Sequence, residues 1–537
     1  MSTIRRPAVA ALAAVSAAAL LAGCAGGASG SSDDSFVFLS DLEPVCFDTA
    51  AYKNLANYNV ARQIFDPLVR QDADGAYFPG LATAWEVSED GLTWTLTLRE
   101  DVTFHDGTDL TADDVQASIE RFSTPGNTLS SPNWYESSRV IDDYTWEVTL
   151  PSAQANFLQS VSTPDFPILS SESIAEFSDG DRCADPTTLV GTGPFVPVEY
   201  DKGATLLLEA NEDYVWGPEW IDRTGASAIK NLEIRFVPEA QARVGALLSG
   251  QADAASAIPP LNAAEIEAAG GFTLESAPAT GVPFVATLNT SGGPTADLLV
   301  RDALFQAVDL DGIVDTIYEG RYDRAWTVLA PTTTPEGSYN ESLVDSVAYD
   351  QAAATALLAQ AGYTTKNADG ILVNAAGEPL VLRWIFDSGD IRDQRDVLAE
   401  AIQADVRAAG IDIQIEKLDT SAYLARIDEG SFEIAAESWG QSDAYVVLTV
   451  AGPIINYPKY QDSEVDGWLF EAWATLGDDD HRAELYRNIQ ERLNEQRVVL
   501  PLYVQNFIVA SSADYAGIAF DPVGYPTWFT DVERVAG

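Results

Sequence analysis

The stretch "VLAEAIQADVRAAGIDIQIEKL", residues 397–418, constrains the fold most strongly, because its periodicity changes from that of a helix to that of a strand. Gly410 is placed to end the helix, since glycine commonly takes the left-handed position after the last helical turn. Ile411, Ile413 and Ile415 then alternate with polar residues, as in a strand with one buried face. Helix-then-strand units of this kind predict an α/β protein with a mixed or parallel sheet.

The first third of the chain carries the clearest strand patterns. Apolar residues alternate with threonine in "GLTWTLTLRE", residues 91–100, and "YTWEVTL", residues 144–150, repeats the alternation. Between them, "FHDGTDLTADDV" predicts a turn followed by a capped helix. We expect Trp94 and Trp146 to lie in the core, on the buried faces of two strands.

The N-terminal stretch "MSTIRRPAVAALAAVSAAALLAGCAGGASG" has the form of an export signal. Two arginines precede an apolar run from Ala8 to Leu21, which is too short to cross a bilayer as a folded helix. "LAGC" resembles the lipobox of bacterial lipoproteins, in which the cysteine is acylated after cleavage. We therefore expect residues 1–23 to be a signal peptide and residues 24–35 a flexible tether. Lipid on Cys24 would anchor the protein to the outer face of the cell membrane; an ordinary secretory signal is the alternative.

The net charge limits the possible binding partners, and the cysteine content suggests a disulfide. The formal net charge of −52 argues against nucleic acid or an anionic lipid surface as the partner. Cys46 and Cys183 remain once Cys24 is assigned to lipidation, and an even pair in an exported protein favours a disulfide. Two buried thiols are the alternative.

Residues 64–122 read "IFDPLVRQDADGAYFPGLATAWEVSEDGLTWTLTLREDVTFHDGTDLTADDVQASIERF". This stretch closely resembles the signature region of the peptide- and nickel-type solute-binding proteins of ABC importers, solute-binding family 5. The shared motifs, in order, are P-x-LA-x-x-W, DG-x-x-W, FHDG and T-A-x-D-V. Later stretches such as "VGTGPFVPVEYDKGATLLLEANEDYVWG" and "VRDALFQAVDLDGIVDTIYEG" agree, so the resemblance covers nearly the whole mature chain.

The resemblance implies an α/β, two-lobed periplasmic-binding-protein fold (type II, flytrap) with an additional inserted domain. The implied parts are a first lobe of residues 36–75, 191–285 and 500–537, an inserted domain of 76–190 and a second lobe of 286–499, with a hinge near 280–290 and 495–505. It also implies a monomer that captures a small solute, with short peptides as the leading class, and delivers it to ABC importer membrane subunits.

The resemblance suggests which residues of the protein bind an amine of the ligand. In peptide-binding relatives an aspartate in a W-x-x-D stretch meets the amino terminus of the ligand. The matching stretch here is "ESWGQSDAYVV", in which Trp439 is in place, Ser442 occupies the aspartate position and Asp443 follows one residue late. We expect Trp439, Ser442 and Asp443 to bind ligand, with Asp443 facing the amine and Glu437 as the alternative.

Other ligand contacts are suggested more loosely. The stretch "DLEPVCFD" corresponds to a family segment that runs alongside the ligand, which suggests Glu43 and Val45. Arg392 and Arg395 are the cationic candidates for a ligand carboxylate, because a guanidinium can hold a carboxylate through two hydrogen bonds. Arg383 is a further candidate.

Neither a resident metal, a cofactor nor an enzyme activity is expected. The chain has two histidines, His105 and His481, and its one methionine is the initiator, so direct metal ligation is disfavoured. Neither G-x-S-x-G nor H-E-x-x-H occurs, which disfavours a secreted hydrolase. The remaining alternative is a non-peptide ligand, either a metal chelate or a glycoside stacked on Trp134, Trp439 or Tyr457. Signalling through a sensor is a further possibility.

Overall fold

The computed structural model describes residues 34–51, 55–122, 134–218, 223, 225–453, 455–524 and 526–535. The predicted signal peptide and Cys24 lie outside the described residues. Within these ranges, no helix combines the length and apolar character needed to cross a membrane.

The described residues form strands and helices that alternate along most of the chain. The strands are β1 (Ser35–Ser40), β2 (Val69–Gln71), β3 (Tyr77–Pro79), β4 (Ala82–Val87), β5 (Thr93–Leu98), β6 (Ser137–Asp142), β7 (Thr145–Thr149), β8 (Phe195–Asp201), β9 (Thr205–Ala210), β10 (Asn231–Phe236), β11 (Ala254–Ala255), β12 (Phe272–Pro278), β13 (Gly281–Leu288), β14 (Asp323–Arg324), β15 (Thr365–Lys366), β16 (Leu372–Val373), β17 (Val381–Asp387), β18 (Asp412–Leu418), β19 (Ile434–Gly440), β20 (Val499–Val504), β21 (Asn506–Ser512), β22 (Tyr515–Ala516), β23 (Ala519–Phe520), β24 (Pro526–Trp528) and β25 (Glu533–Arg534).

The helices are α1 (Leu55–Ile64), α2 (Ala112–Phe122), α3 (Phe157–Ser160), α4 (Ser171–Glu176), α5 (Asp179–Ala184), α6 (Ala240–Leu248), α7 (Pro260–Ala269), α8 (Leu298–Gln306), α9 (Leu310–Tyr318), α10 (Gln351–Gln360), α11 (Arg395–Ala409), α12 (Thr420–Glu429), α13 (Leu448–Ala451), α14 (Ser463–Ala474) and α15 (Asp479–Glu495).

Three sheets carry the architecture. A seven-stranded sheet has the order β12-β21-β11-β1-β10-β9-β8, and a six-stranded sheet has the order β14-β20-β13-β19-β17-β18. A four-stranded sheet, β4-β5-β7-β6, is formed within a shorter part of the chain. Both larger sheets mix parallel and antiparallel pairs: β1 runs parallel to β10, and β17 runs parallel to both β18 and β19.

The local sequence predictions are confirmed where periodicity was strong. Helix α11 ends at Gly410, which has a φ of +97°, and β18 follows directly. In the four-stranded sheet Leu96 lies opposite Trp146, and both Trp94 and Trp146 are buried. These elements form because each has one apolar face that its neighbours cover.

The chain crosses between the two larger sheets on two adjacent segments. One lies between Pro278 of β12 and Gly281 of β13, and the other joins β20 to β21 through Gln505. The Ala279 N–H donates to the Gln505 carbonyl at 2.8 Å, so the two crossings run side by side. They lie at the edges of the two segments in which the hinge is expected; the division into lobes stays a prediction.

A buried carboxylate ties the start of the chain to the segment that follows the four-stranded sheet. Asp66 accepts hydrogen bonds from Thr192 Oγ1 at 3.0 Å, Tyr214 Oη at 2.9 Å and Trp216 Nε1 at 2.9 Å. It also pairs with the buried Arg70 guanidinium at 2.6 Å. Four donors on one carboxylate offset the cost of burying its charge.

Replacement of Asp66 is expected to be strongly destabilising. Asp66→Ala leaves the buried Arg70 charge unpaired, and such losses typically cost about 3–5 kcal/mol. Asp101→Ala is the matched control, because Asp101 pairs with Arg99 at the exposed surface, where a pair contributes at most about 1 kcal/mol. Urea unfolding of both variants measures the difference; equal losses would contradict the role given to Asp66.

Candidate ligand cleft

We place the candidate cleft at the strand ends beside the crossings. The parallel strands β17 and β19 end at the same edge of the six-stranded sheet, and Gly440 at the end of β19 lies opposite Gly281. From the other sheet, the segment after β1 approaches this edge, since the charge of Asp41 acts on Asp393. Open α/β sheets bind ligands at the carboxyl ends of their strands.

Gly281 has a role that a larger residue cannot fill. Its φ is +91°, and a Cβ at this position would lie 2.4 Å from the Trp439 carbonyl oxygen. Glycine is therefore required for β13 to pass this close to β19 at the edge of the cleft.

The segment after β1 forms one wall. Val45 is 73% exposed, whereas Glu43 is held by the β8–β9 hairpin: its Oε1 accepts from Tyr200 Oη at 2.7 Å and from the Gly203 N–H at 2.6 Å. A disulfide joins Cys46 to Cys183 and so fixes the end of this segment. The structure thus leaves Val45 open to a ligand and gives the Glu43 carboxylate an internal partner.

The candidate arginines differ in how far their charges are satisfied within the protein. Arg395 is buried, pairs with Asp390, donates to Ser438 Oγ at 2.9 Å and lies 4.2 Å from the centre of the Phe284 ring. Arg392 also pairs with Asp390, and its side chain is 31% exposed. Arg392 is therefore the more accessible of the two; both roles toward a ligand stay predictions.

Arg383 lies apart from this edge of the sheet. It stands near the beginning of β17, and its guanidinium binds Glu433 through two hydrogen bonds of 2.7 and 2.8 Å. The strand ends beside the crossings are at the other end of β17, so this position and the pair with Glu433 count against Arg383 as a ligand contact, which stays a prediction.

The stretch from Gln441 to Asp443 makes hydrogen bonds with side chains that lie far away in the sequence. Ser442 Oγ donates to Gln71 Oε1 at 2.6 Å, and Gln441 Nε2 donates to Gln159 Oε1 at 2.9 Å. Gln71 lies in β2 and Gln159 in α3, so these bonds join the segment after β19 to two segments that flank the four-stranded sheet in the chain.

Asp443 is not presented as a free carboxylate. Its two oxygens accept hydrogen bonds of 2.9 and 2.7 Å from Arg482 Nη2, and both side chains are almost fully buried. A ligand amine would have to compete with this guanidinium. The amine-facing role of Asp443 stays a prediction, and the ion pair counts against it.

Glu437 differs from Asp443 in having no cationic partner among the described residues. It is 5% exposed, and its Oε2 accepts from Trp439 Nε1 at 2.8 Å. Oε1 has no hydrogen-bond partner among the residues that the structure describes. Burial raises the pKa of Glu437 to about 8. Side-chain hydrogen bonds from Trp439 and Thr287 lower this pKa by less than burial raises it.

The aromatic candidates differ in how far their rings are exposed. Trp439 is 36% exposed and its ring centre lies 6.3 Å from that of Tyr457, whereas Trp134 is 1% exposed and packs on Phe157. The suggestion that Trp134 offers a stacking face is therefore wrong, because its ring is buried in the core.

The two histidines are held by protein groups. His105 Nε2 lies 3.0 Å from the Gly193 carbonyl, and burial lowers the pKa of His105 to about 4. His481 contacts Glu471 at 2.9 Å at the surface. Over the described ranges, no group of three or more His, Cys, Asp or Glu side chains is arranged to hold a metal ion.

Two partners were not found from the sequence. Arg482 lies 39 residues after Asp443, and Gln71 lies 371 residues before Ser442. An arginine on the apolar face of a helix was an available signal for Arg482. Nothing local to Gln71 marks it, since its role depends on two distant segments meeting.

Comparison with known proteins gives a consistent result. The family described as bacterial extracellular solute-binding proteins, family 5 Middle, matches residues 76–449. The nickel-binding periplasmic protein of Escherichia coli K12 is 29% identical over 88% of this chain and 89% of its own length. Di/tripeptide-binding protein 3 of Pseudomonas aeruginosa is 27% identical over 87% of this chain and 89% of its own length.

Among solved structures, NikA from Brucella suis in complex with Fe(III)-EDTA superposes with a TM-score of 0.82. It is 26% identical, and the match covers 94% of this chain and all of that chain. The fold similarity therefore extends over both large sheets and the four-stranded sheet.

The pKa of Glu437 predicts a pH-dependent contribution to stability. The native pKa lies above the ordinary value, so between about pH 5 and pH 8 the folded state holds a proton that the unfolded state has lost, and stability falls as pH rises. Glu437→Gln removes this pH-dependent loss of stability, because the glutamine side chain does not titrate. The variant's free energy of unfolding should gain on the wild type by up to about 1.4 kcal/mol per pH unit in that interval.

Urea unfolding across this pH interval tests the expectation. Glu400→Gln, on the exposed face of α11, is the control for the loss of one carboxylate. A difference between Glu437→Gln and wild type that does not change with pH would contradict the assignment.

Proposed function

Because the chain belongs to the bacterial extracellular solute-binding proteins of family 5, we propose that it captures short peptides between two lobes. We infer that it delivers them to the membrane subunits of an ABC importer. The similarity to a di/tripeptide-binding protein over most of both chains supports peptides as the ligand class. The protein would bind and release its ligand without a covalent step.

The observation that carries the peptide proposal is the open backbone after β1. The N–H groups of Glu43 and Val45 donate no hydrogen bond to any other residue that the structure describes. This segment is exposed at Val45 and anchored by the disulfide at Cys46. An extended peptide could pair its own backbone with these groups, as in strand addition, with side-chain pockets supplying specificity.

Closure of the cleft follows from the same geometry. We propose that the parts expected from the sequence move as two bodies about the crossings at Ala279 and Gln505. The bonds from Ser442 to Gln71 and from Gln441 to Gln159 would then belong to the closed form. A ligand that contacts both walls adds to these bonds and shifts the population toward closure.

Export and anchoring complete the proposal. The "LAGC" stretch supports acylation of Cys24, with residues 1–23 removed and a short tether holding the folded part near the importer. No partner other than ligand, importer and membrane lipid is needed, and we expect a monomer.

A non-peptide ligand, such as a metal chelate, is the second candidate. Ser442 replaces the aspartate expected at that position, and the neighbouring Asp443 is occupied by Arg482. The similarity to a nickel-binding protein and to a structure with bound Fe(III)-EDTA gives this alternative its support.

Native mass spectrometry of the protein lacking residues 1–24 distinguishes the two. A ladder of masses that match short peptides, released on denaturation, is the expected result. A released peptide should then raise the unfolding free energy by about 2.7 kcal/mol at 100 times its dissociation constant. A single defined non-peptide mass would overturn the peptide proposal and favour the second candidate.

Acylation of Cys24 is tested by substitution in the full-length chain. Cys24→Ala is expected to release the protein from the membrane fraction and to abolish labelling with a fatty-acid probe, because one thioether-linked cysteine carries the anchor. Ser29→Ala in the same tether is the control and should remain membrane-bound. Retention of the label in Cys24→Ala would contradict the lipid assignment.

A further inference from the structure

We propose that a cavity at the far end of the six-stranded sheet binds a zwitterionic solute of the amino-acid class. Arg301 and Lys459 bind its carboxylate, and Asp428 and Glu429 bind its ammonium group. These four side chains line the cavity, here called the outer cavity, which has a volume of about 790 Å³. Small-molecule sites in proteins typically have volumes of about 300–1,000 Å³. The outer cavity is separate from the candidate cleft, so the inference goes beyond the proposed function and does not depend on it.

The outer cavity lies at the opposite end of the sheet from the candidate cleft. Gly281 pairs with Gly440 beside the crossings, whereas Leu288 pairs with Ile434 at the other end of the same two strands. Thr290 follows the end of β13 and lines the outer cavity. Because a strand rises about 3.3 Å per residue, the two ends of β13 are roughly 20 Å apart. A solute in the outer cavity therefore leaves the candidate cleft free.

The first argument is a buried guanidinium with an unused donor. Arg301 of α8 is 4% exposed. Its Nε donates to the Gln496 carbonyl at 3.0 Å, and its Nη1 donates to the Thr295 and Ala296 carbonyls at 2.7 and 3.1 Å. Nη2 donates to none of the residues that the structure describes, and Arg301 lines the outer cavity. Because the donors of a buried charged group nearly always find an acceptor, Nη2 is the atom available to a ligand that enters the cavity.

The charge of Arg301 is also incompletely compensated. Its three hydrogen bonds go to neutral carbonyl groups, and it forms no ion pair with a carboxylate of the described residues. Burial lowers the pKa of Arg301, and the nearby Asp297 and Tyr460 offset only part of this effect. A ligand carboxylate that accepts from Nη2 supplies the missing negative charge, because guanidinium–carboxylate pairs are among the strong hydrogen bonds of proteins.

The second argument is the position of Lys459. It lies on the wall of the outer cavity with a φ of +54°, a conformation that residues with a Cβ rarely adopt. The loop that carries it is fixed at two points: the Thr290 N–H donates to the Pro458 carbonyl at 2.8 Å, and the Tyr460 N–H donates to Asn456 Oδ1 at 2.9 Å. Backbone strain that the surrounding structure maintains in this way is often found at binding sites.

The ammonium group of Lys459 is not used by the protein. In the described chain the lysines that form ion pairs are Lys230 and Lys417, so Lys459 has no carboxylate partner there. Acidic residues outnumber basic ones by 82 to 30, which makes two unpaired cations on one cavity unexpected. Together Arg301 and Lys459 favour an anionic group, and a carboxylate matches the fork of the guanidinium.

The third argument is a pair of acids on the same cavity without a cationic partner among the described residues. Asp428 and Glu429 lie in the last turn of α12, where the helix dipole disfavours negative charge. Arg426, the cation of that turn, pairs with Glu416 instead, and the Glu429 carboxylate accepts from the Ser431 hydroxyl at 3.1 Å. An ammonium group beside this helix end is therefore favoured both by the two carboxylates and by the dipole.

A cavity that carries both signs of charge selects a solute that carries both. Asp428 and Glu429 repel a phosphate or a dicarboxylate, and Arg301 and Lys459 repel a simple amine. An amino acid has one carboxylate and one ammonium group, so it can satisfy both pairs. The remaining volume accommodates its side chain and bridging water.

Equilibrium dialysis of the full-length protein in a non-ionic detergent tests the proposal. The probes are a mixture of the free protein amino acids, the same mixture acetylated at the amino groups, and the same mixture converted to carboxamides. We expect wild type to retain the free mixture about tenfold better than either blocked mixture, because each blocked form loses one ion pair.

Variants of the cavity locate the binding. Lys459→Gln and Asp428→Asn should each weaken retention of the free amino acids about tenfold, whereas Lys459→Arg should preserve it. Lys366→Gln is the matched control, because Lys366 is exposed on β15 and lies outside the outer cavity. The unfolding midpoint of each variant checks its folding. Capture of short peptides from a casein digest by Lys459→Gln should equal that of wild type.

Each outcome supports or overturns the inference. Retention of no mixture by wild type, equal retention of free and blocked mixtures, or undiminished retention by Lys459→Gln overturns it. Loss of peptide capture by a folded Lys459→Gln overturns the separation of the outer cavity from the cleft. Absence of peptide capture by wild type contradicts the proposed function and leaves this inference standing. If a variant does not fold, the three mixtures on wild type still decide whether both charged groups of the solute are bound.

Discussion

The hydrogen bond from the Ala279 N–H to the Gln505 carbonyl joins the two segments on which the chain crosses between its large sheets. This bond holds the two crossings side by side. Gly281 allows β13 to pass close to β19 immediately beyond the crossings. The proposed cleft, and its proposed opening by rotation about the crossings, both depend on this arrangement.

Charge is distributed so that most arginines near the cleft serve the protein itself. The chain has 30 lysine and arginine residues against 82 aspartate and glutamate residues, and buried cations such as Arg395 and Arg482 are held by carboxylates. Removing one partner of a buried pair is costly, so these groups stabilise the walls of the cleft. Among the candidate ligand contacts, Val45, Trp439 and Arg392 keep exposed side-chain surface.

Burial gives the remaining polar groups their character. Glu437 is raised to a pKa of about 8 and His105 is lowered to about 4, each because its charged form loses hydration. His105 Nε2 donates a hydrogen bond to the Gly193 carbonyl, and Glu437 Oε2 accepts one from Trp439 Nε1. The same physical effect thus lowers the pKa of a base and raises the pKa of an acid, and in both cases favours the neutral form.

A feature could be predicted from the sequence when the residues that determine it lie close together along the chain. Helix α11, its end at Gly410 and the strand after it follow from a periodicity contained within 22 residues. The strands that carry Trp94 and Trp146 follow from alternation in the same way, and the family resemblance follows from motifs within residues 64–122. These features are local, so the order of residues alone determines them.

The tertiary structure alone decided which candidate side chains are free. Asp443 and Glu437 are both carboxylates in the same short stretch, and no local pattern distinguishes them. Arg482 reaches Asp443 from a separate helix and satisfies it, while β13 and α12 cover Glu437 without supplying a cation. Whether a charge is paired depends on groups brought together by packing, and that information is spread over segments far apart in the chain.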